Sequence, residues 1–140
     1  MTEGWQNEDY LILFDEKEST DLSLRYEINK YLVGYRIVGL TGWDDFIVEG
    51  VDGKLFTIPT IPLDPKHLSP FGLSIRHAEL RPDHRLLGKI KWYTKPVVFG
   101  GDPSARDNMT WVTLEQHIQL VNWWNKLYQT MKDQPKDGPQ

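Results

Sequence analysis

The chain has 140 residues, of which 39% are hydrophobic and 26% charged, with no cysteine and a formal net charge of −4. This composition is that of a globular protein, and the lack of cysteine excludes disulfides, thiolate nucleophiles and cysteine zinc sites. The acidic balance argues against nucleic acid as the main partner, and no apolar run is long enough for a membrane span. We therefore expect a cytoplasmic protein that binds neither nucleic acid nor a membrane.

The first half of the chain predicts strands. Residues 10–14 form a short apolar run before an acidic turn, which is typical of a buried strand. Between residues 16 and 31, apolar side chains alternate as on a strand, although the composition also permits a helical start. Residues 35–40 predict the next strand, which ends in a turn at Thr41 and Gly42.

The strongest local signal predicts a hairpin. Two β-rich segments, residues 46–48 and 54–58, flank Asp52-Gly53, and glycine accepts the positive φ that a primed hairpin turn needs. Three prolines then follow within residues 59–65. Because proline has no N–H to donate, this segment should leave the sheet or run along its edge.

The second half predicts three short strands and one long helix. Residues 66–95 have mixed periodicity and predict a helical turn, a loop and one further strand, whereas 96–99 and 109–112 predict strands. Thr113 and Gln116 have the spacing of a capping box at the start of a helix. An apolar stripe then continues to Met131 at intervals of three and four residues. It consists of Leu114, Ile118, Val121, Trp124, Leu127, Tyr128 and Met131. We expect one domain over residues 1–132 and a frayed tail over 133–140.

No arrangement of residues predicts catalysis or a cofactor. The chain lacks a Gly-x-Ser-x-Gly motif, and the glycine pair Gly100-Gly101 lacks the residues of a phosphate loop. His77 and His84 have no recognised metal-ligand spacing, and His117 lies beside the helix stripe, as a core-edge histidine would. We therefore expect no catalytic residue, no cofactor and no metal. A small-ligand protein or enzyme that uses the His77–His84 region is the less favoured alternative.

Three segments together resemble the SUKH superfamily. They are residues 11–14 followed by Asp15 and Glu16, residues 26–39 followed by 43–48, and a C-terminal stretch from Gly100 to Tyr128. The resemblance implies an α+β fold: a single domain with a mostly antiparallel β-sheet and packed helices, including a long C-terminal helix. Bacterial members of the family are immunity proteins that bind and neutralise a cognate polymorphic toxin, and eukaryotic relatives are scaffolding or regulatory proteins.

The resemblance and the residues agree on a non-enzymatic protein-binding domain. The partner is expected to be a toxin domain, and the alternative is a housekeeping scaffold of the same fold. Acids are concentrated in residues 8–21 and again at Asp44 and Asp45, beside Trp43. If the strand order brings both segments to one edge of the sheet, then Trp43 would anchor the partner, while Asp15, Glu16, Asp44 and Asp45 would steer it. Alternatively, Trp43 closes the end of the core and the acids form a solvated rim.

Overall fold

The computed structural model describes residues 1–72 and 79–133. Its main sheet has six antiparallel strands that lie side by side in chain order. They are β1 (Thr2–Gln6), β2 (Asp9–Leu13), β3 (Arg36–Thr41), β4 (Asp45–Glu49), β5 (Leu55–Pro59) and β6 (Ser69–Pro70). A smaller sheet pairs β7 (Ile90–Tyr93) with β8 (Met109–Val112). With two helices, this is the α+β fold that the sequence predicts.

The ambiguous segment after β2 is a helix, α1 (Glu16–Arg25), followed by a 3-10 helix (Ile28–Lys30). Asp15 caps α1, because its side chain accepts a hydrogen bond from the Glu18 N–H, while the Asp15 N–H donates one to the Glu18 carboxylate. The helix explains why Leu22 is buried but Leu24 is 74% exposed. Residues two apart lie on nearly opposite sides of a helix, so the apparent strand alternation is coincidental here.

The predicted hairpin forms between β4 and β5, and Gly53 has the expected positive φ of 82°. Its turn differs from the prediction, because Asp52 does not share that positive φ. The loop closes instead through the Gly53 N–H, which donates to the Gly50 carbonyl, and the Gly50 N–H, which donates to the Lys54 carbonyl. The prediction of a primed turn is therefore wrong, although that of the hairpin is confirmed.

The strand predicted at 96–99 is wrong: Val97–Phe99 is a 3-10 helix. The chain curls there because Asn108 closes the loop, accepting a hydrogen bond from the Lys95 N–H and donating one to the Lys95 carbonyl. Gly101 packs so closely on that carbonyl that a Cβ would lie 1.8 Å from its oxygen. These contacts hold the segment in a closed loop and prevent it from pairing as a strand.

The long helix α2 (Leu114–Lys132) begins with the predicted capping box at Thr113. Of its apolar stripe, Ile118 and Val121 are fully buried, whereas Met131 is 53% exposed. Two polar side chains on the same helix, His117 and Asn125, are also buried. The core lies between the main sheet, α1, α2 and β7, and it includes Tyr10, Phe46, Ile58 and Trp92.

The opposite face of the main sheet is also covered. Leu11, Val38 and Ile47 form a smaller buried cluster there, against which Phe71 and Leu80 pack. At the edge of the sheet, the backbones of Trp5 and Arg81 exchange two hydrogen bonds of 2.8 Å, which extend the pairing of β1. Neither of the helices described is long and apolar enough to cross a membrane.

Candidate protein-binding groove

A groove of about 460 Å³ lies where β4 begins and β5 ends, beside β7 and the C-terminal part of α2. Its lining is mostly apolar and aromatic, with four side chains that carry or can carry charge. The apolar and aromatic group includes Trp43, Ile61, Trp92, Tyr93, Val97, Val98, Tyr128 and the prolines 59, 62, 96 and 103. The four acidic or basic side chains are those of Asp44, Asp45, His67 and Lys91. This combination of apolar walls and a few polar groups is typical of a binding site.

Asn125 holds one wall of the groove in place. Its side-chain oxygen accepts a hydrogen bond of 2.8 Å from the Leu63 N–H, and its amide donates one of 2.8 Å to the Thr60 carbonyl. The loop between these residues contains the cis peptide bond between Ile61 and Pro62. A buried amide that satisfies both ends of the loop fixes its position against α2.

Trp43 forms one side of the groove and is half-buried in an aromatic cluster. Its ring stacks on Tyr10 with centroids 4.9 Å apart, and it meets the rings of Trp111 at 5.3 Å and Trp5 at 6.1 Å edge to face. Such contacts between three elements are those of a packed side chain. Trp43 thus closes the end of the core, as the alternative interpretation holds, and also lines the groove.

Asp44 and Lys91 form an ion pair across the rim, with a carboxylate oxygen 3.5 Å from the Lys91 Nζ. The ammonium lies between two aromatic rings, 5.6 Å from the centroid of Trp43 and 5.2 Å from that of Tyr93. Burial raises the pKa of the Asp44 carboxyl, and Lys91 offsets part of the rise. Lys91 therefore neutralises Asp44 within the groove.

Asp45 has no ion-pair partner within the described chain. Burial raises the pKa of its carboxyl, and the negative charge of Asp44 raises it further. At neutral pH the two carboxylates and the single ammonium leave one negative charge at the groove. A partly buried charge of this kind favours a ligand that brings a positive charge.

The structure does not bring Asp15 and Glu16 to this site. Glu16 pairs with Arg36 through two hydrogen bonds of 2.6 and 2.7 Å, at the end of β3 that faces Glu49. The groove lies at the other end of β3, where Thr41 pairs with Asp45. Five residues of strand span about 17 Å, so Asp15 and Glu16 do not share an edge with Asp44 and Asp45. Asp15 is instead the cap of α1.

The histidine region adds no metal site to the part of the chain described. His84 is exposed, His77 falls outside the described residues, and no group of three potential metal ligands occurs among the described ones. The tail predicted over 133–140 also lies outside the description from residue 134 onward. His117 is fully buried in the core.

Sequence reasoning identified Trp43, Asp44 and Asp45 but not the residues opposite them. From the sequence, Lys91 and Tyr93 belong only to a segment of mixed periodicity, Val98 to an expected strand and Tyr128 to the helix stripe. The sequence signal nearest to these residues is the group of prolines at 59, 62, 96 and 103, which line the same groove. Each proline keeps its segment out of a strand interior.

No family model, curated protein or solved structure matches this chain. The SUKH resemblance therefore stays a prediction.

Proposed function

We propose that this chain is a protein-binding domain that receives a basic partner in the groove at Trp43, Asp44 and Asp45, and that it acts as a bacterial immunity protein. The observation that carries the proposal is the unpaired carboxylate of Asp45 within an apolar and aromatic groove. Apolar walls supply binding free energy when they are covered, and the negative charge selects a basic surface.

The rim of the groove offers apolar surface to a partner. Val97 and Val98 are 51% and 43% exposed, and both line the groove. Each is held in the short 3-10 helix that the Asn108 loop closes, so little conformational entropy would be lost on binding. The groove thus combines pre-organised apolar contacts with one uncompensated charge.

The immunity role follows the SUKH resemblance, and the charge of the chain supports it. A toxin that acts on nucleic acid carries a basic cleft, and a chain of net charge −4 would be attracted to it. Opposite potentials raise the rate of association, which favours a protein that must neutralise its partner quickly. A housekeeping scaffold of the same fold would use the same groove but would bind a harmless partner.

Affinity capture with three full-length baits tests the proposal. The wild type is compared with Asp45→Lys and with Asp52→Lys, a matched charge reversal in the loop between β4 and β5. A partner captured by the wild type and Asp52→Lys, but not by Asp45→Lys, is then expressed alone and together with the chain. Growth arrest by the partner alone and rescue by co-expression are expected. A harmless partner would contradict the immunity role, and equal capture by all three baits would contradict the groove.

A further inference from the structure

Lys91 shows which chemical group the groove accommodates. Its ammonium is held by the carboxylate of Asp44 and by the faces of Trp43 and Tyr93. A cation between aromatic rings and a carboxylate is stabilised by the ring quadrupoles and by Coulomb attraction together. The walls around Lys91 are therefore already suited to a cation, and this cation comes from the chain itself.

One carboxylate of the groove has no cation beside it, because Lys91 pairs with Asp44. Asp45 lines the same groove and has neither an ion pair nor a side-chain hydrogen bond among the described residues. His67 also lines the groove, but its side chain is exposed and makes no ion pair with Asp45 among the described residues. A second cation is needed to neutralise the site when a partner covers it and excludes water.

The walls favour a guanidinium over an ammonium. Arginine is more weakly hydrated than lysine, stacks its planar group on aromatic rings, and presents several N–H donors in a fixed fork. Two neighbouring carboxylates, of which one is already paired, suit such a fork better than a point charge. The apolar stem of arginine would lie against the prolines and valines of the groove.

We propose that the groove is a socket for one arginine side chain of the protein partner, which pairs with Asp45 while Lys91 remains paired with Asp44. This inference rests on the proposed function and adds the recognised group. The sequence predicts that Trp43 of this chain anchors the partner. In the proposed socket the partner instead inserts a side chain into the groove, and Trp43 forms a wall of that groove.

Titration with short capped peptides, followed by NMR of the full-length chain, tests the socket. The probe is acetyl-Gly-Arg-Gly-amide, and the controls replace arginine by citrulline, which is neutral and of similar shape, or by lysine. We expect the arginine peptide to shift the backbone resonances of Asp44, Asp45 and Lys91. Its Kd should be about tenfold lower than that of the citrulline peptide, as for a charge-assisted hydrogen bond, and lower than that of the lysine peptide.

Three variants test the assigned charges. Asp45→Asn should raise the Kd of the arginine peptide about tenfold, whereas Asp52→Asn, which removes one charge from a distant loop, should leave it unchanged. Lys91→Met frees the Asp44 carboxylate and should lower the Kd several-fold. Each variant is first checked for an unchanged fold from its amide spectrum, and a variant that fails this check is replaced by Asp45→Ser or Lys91→Gln.

Each contrary result overturns a defined claim. Equal binding of the citrulline peptide, or shifts that lie outside the groove, would contradict the socket, and tighter binding of the lysine peptide would contradict the choice of arginine. If the capture experiment finds a partner that depends on Asp45 while the peptide does not bind, the socket fails and the proposed function survives. If the arginine peptide binds but no partner is captured, the proposed function fails and the socket survives.

Discussion

The hydroxyl oxygen of Tyr26 lies 2.6 Å from Nδ1 of His117, in a region of the core where both side chains are fully buried. Burial raises the pKa of the Tyr26 phenol and lowers that of the His117 imidazole, so both groups are neutral where they share this hydrogen bond. Nε2 of the same ring is buried without a partner in the described chain, so the contact with Tyr26 is the ring's only hydrogen bond there. This hydrogen bond connects the end of α1 with the first turn of α2.

Tyr26→Phe is expected to lower the free energy of unfolding by about 1–3 kcal/mol, because the Nδ1 of His117 would remain buried without a hydrogen-bond partner. Urea denaturation at pH 7.5 measures the change. Tyr35→Phe is the matched control, since its half-buried hydroxyl has no hydrogen bond in the residues described, and it should change stability by less than about 0.5 kcal/mol. Equal effects of the two variants would show that the hydrogen bond contributes nothing.

The stability of the chain is expected to fall as the pH decreases below about 6.5, because burial lowers the pKa of His117 from 6.5 to about 3. Between these two values the unfolded chain binds a proton that the folded chain does not, and protonation therefore favours unfolding. Between pH 7.5 and pH 5 this single group should remove about 2 kcal/mol of stability. Denaturation midpoints at a series of pH values measure the slope.

His117→Gln is the control for this pH dependence, because the glutamine oxygen can still accept a hydrogen bond from Tyr26. The variant should be less stable at pH 7.5, yet its stability should change little between pH 7.5 and pH 5. The raised pKa values of Asp44 and Asp45 act in the opposite direction, since protons then favour the folded state, which is why the comparison stops at pH 5. A slope that is the same in both proteins would assign the pH dependence to other groups.

The elements that could be predicted from the sequence are those defined by residues close together in the chain. The capping box joins Thr113 to Gln116, three residues apart, and the positive φ at Gly53 is a property of one residue, although the type of turn around it was not predicted. The apolar runs of β2, β3 and β4 likewise show their burial in their own composition. In each case the pattern and the interaction lie within the same few residues.

The groove could not be predicted in the same way, because its residues are joined by contacts between distant segments. Asn125 is a polar residue on the buried side of α2. It is buried because it forms hydrogen bonds with Thr60 and Leu63, more than sixty residues earlier in the chain. Val97 is apolar and β-branched, yet the Asn108 loop holds it in a 3-10 helix. Propensity gave the wrong result there because tertiary contacts outweigh it. The distance between Glu16 and Asp45 likewise could not be predicted, because it depends on the register in which β3 pairs with β4.

Thr113→Ala is expected to cost about 1 kcal/mol of stability, because it removes the oxygen that accepts the Gln116 N–H. Thermal or urea denaturation measures the loss. Thr130→Ala is a suitable control near the other end of α2, where the hydroxyl binds only the Lys126 carbonyl and alanine favours the helix. A loss at position 130 equal to that at 113 would mean that the cap does not stabilise the helix.

Gly53→Val is expected to destabilise the β4–β5 hairpin by about 1–2 kcal/mol, the cost of a positive φ for an L-residue. No atom lies within 4 Å of a Cβ built at Gly53, so the cost comes from the backbone angle of 82° and not from a clash. Gly72→Val separates the two causes, because a Cβ at Gly72 also meets no atom within 4 Å among the described residues, while Gly72 has no positive φ. A variant at 53 that is as stable as the one at 72 would refute the backbone argument.

Trp43→Ala decides between the two interpretations of Trp43, the exposed anchor and the packed ring. The ring contacts Trp5, Tyr10 and Trp111, and its removal should cost about 3 kcal/mol, as for other packed aromatic residues. Trp123→Ala is the matched control, because Trp123 is 58% exposed on α2 and should cost less than about 1 kcal/mol. Urea denaturation of both variants provides the comparison.

Trp43→Phe keeps an aromatic ring at this position and so tests the ring contacts. The backbone φ of 63° at Trp43 strains alanine and phenylalanine alike, so a difference in stability between the two variants comes from packing. Phenylalanine retains the same backbone strain but preserves most of the stacking on Tyr10, so it should recover about half of the stability that alanine loses. If alanine and phenylalanine are equally unstable, the ring contacts do not hold this end of the core. If Trp43→Ala is as mild as Trp123→Ala, Trp43 is an exposed residue, and its role would be that of an anchor for the partner.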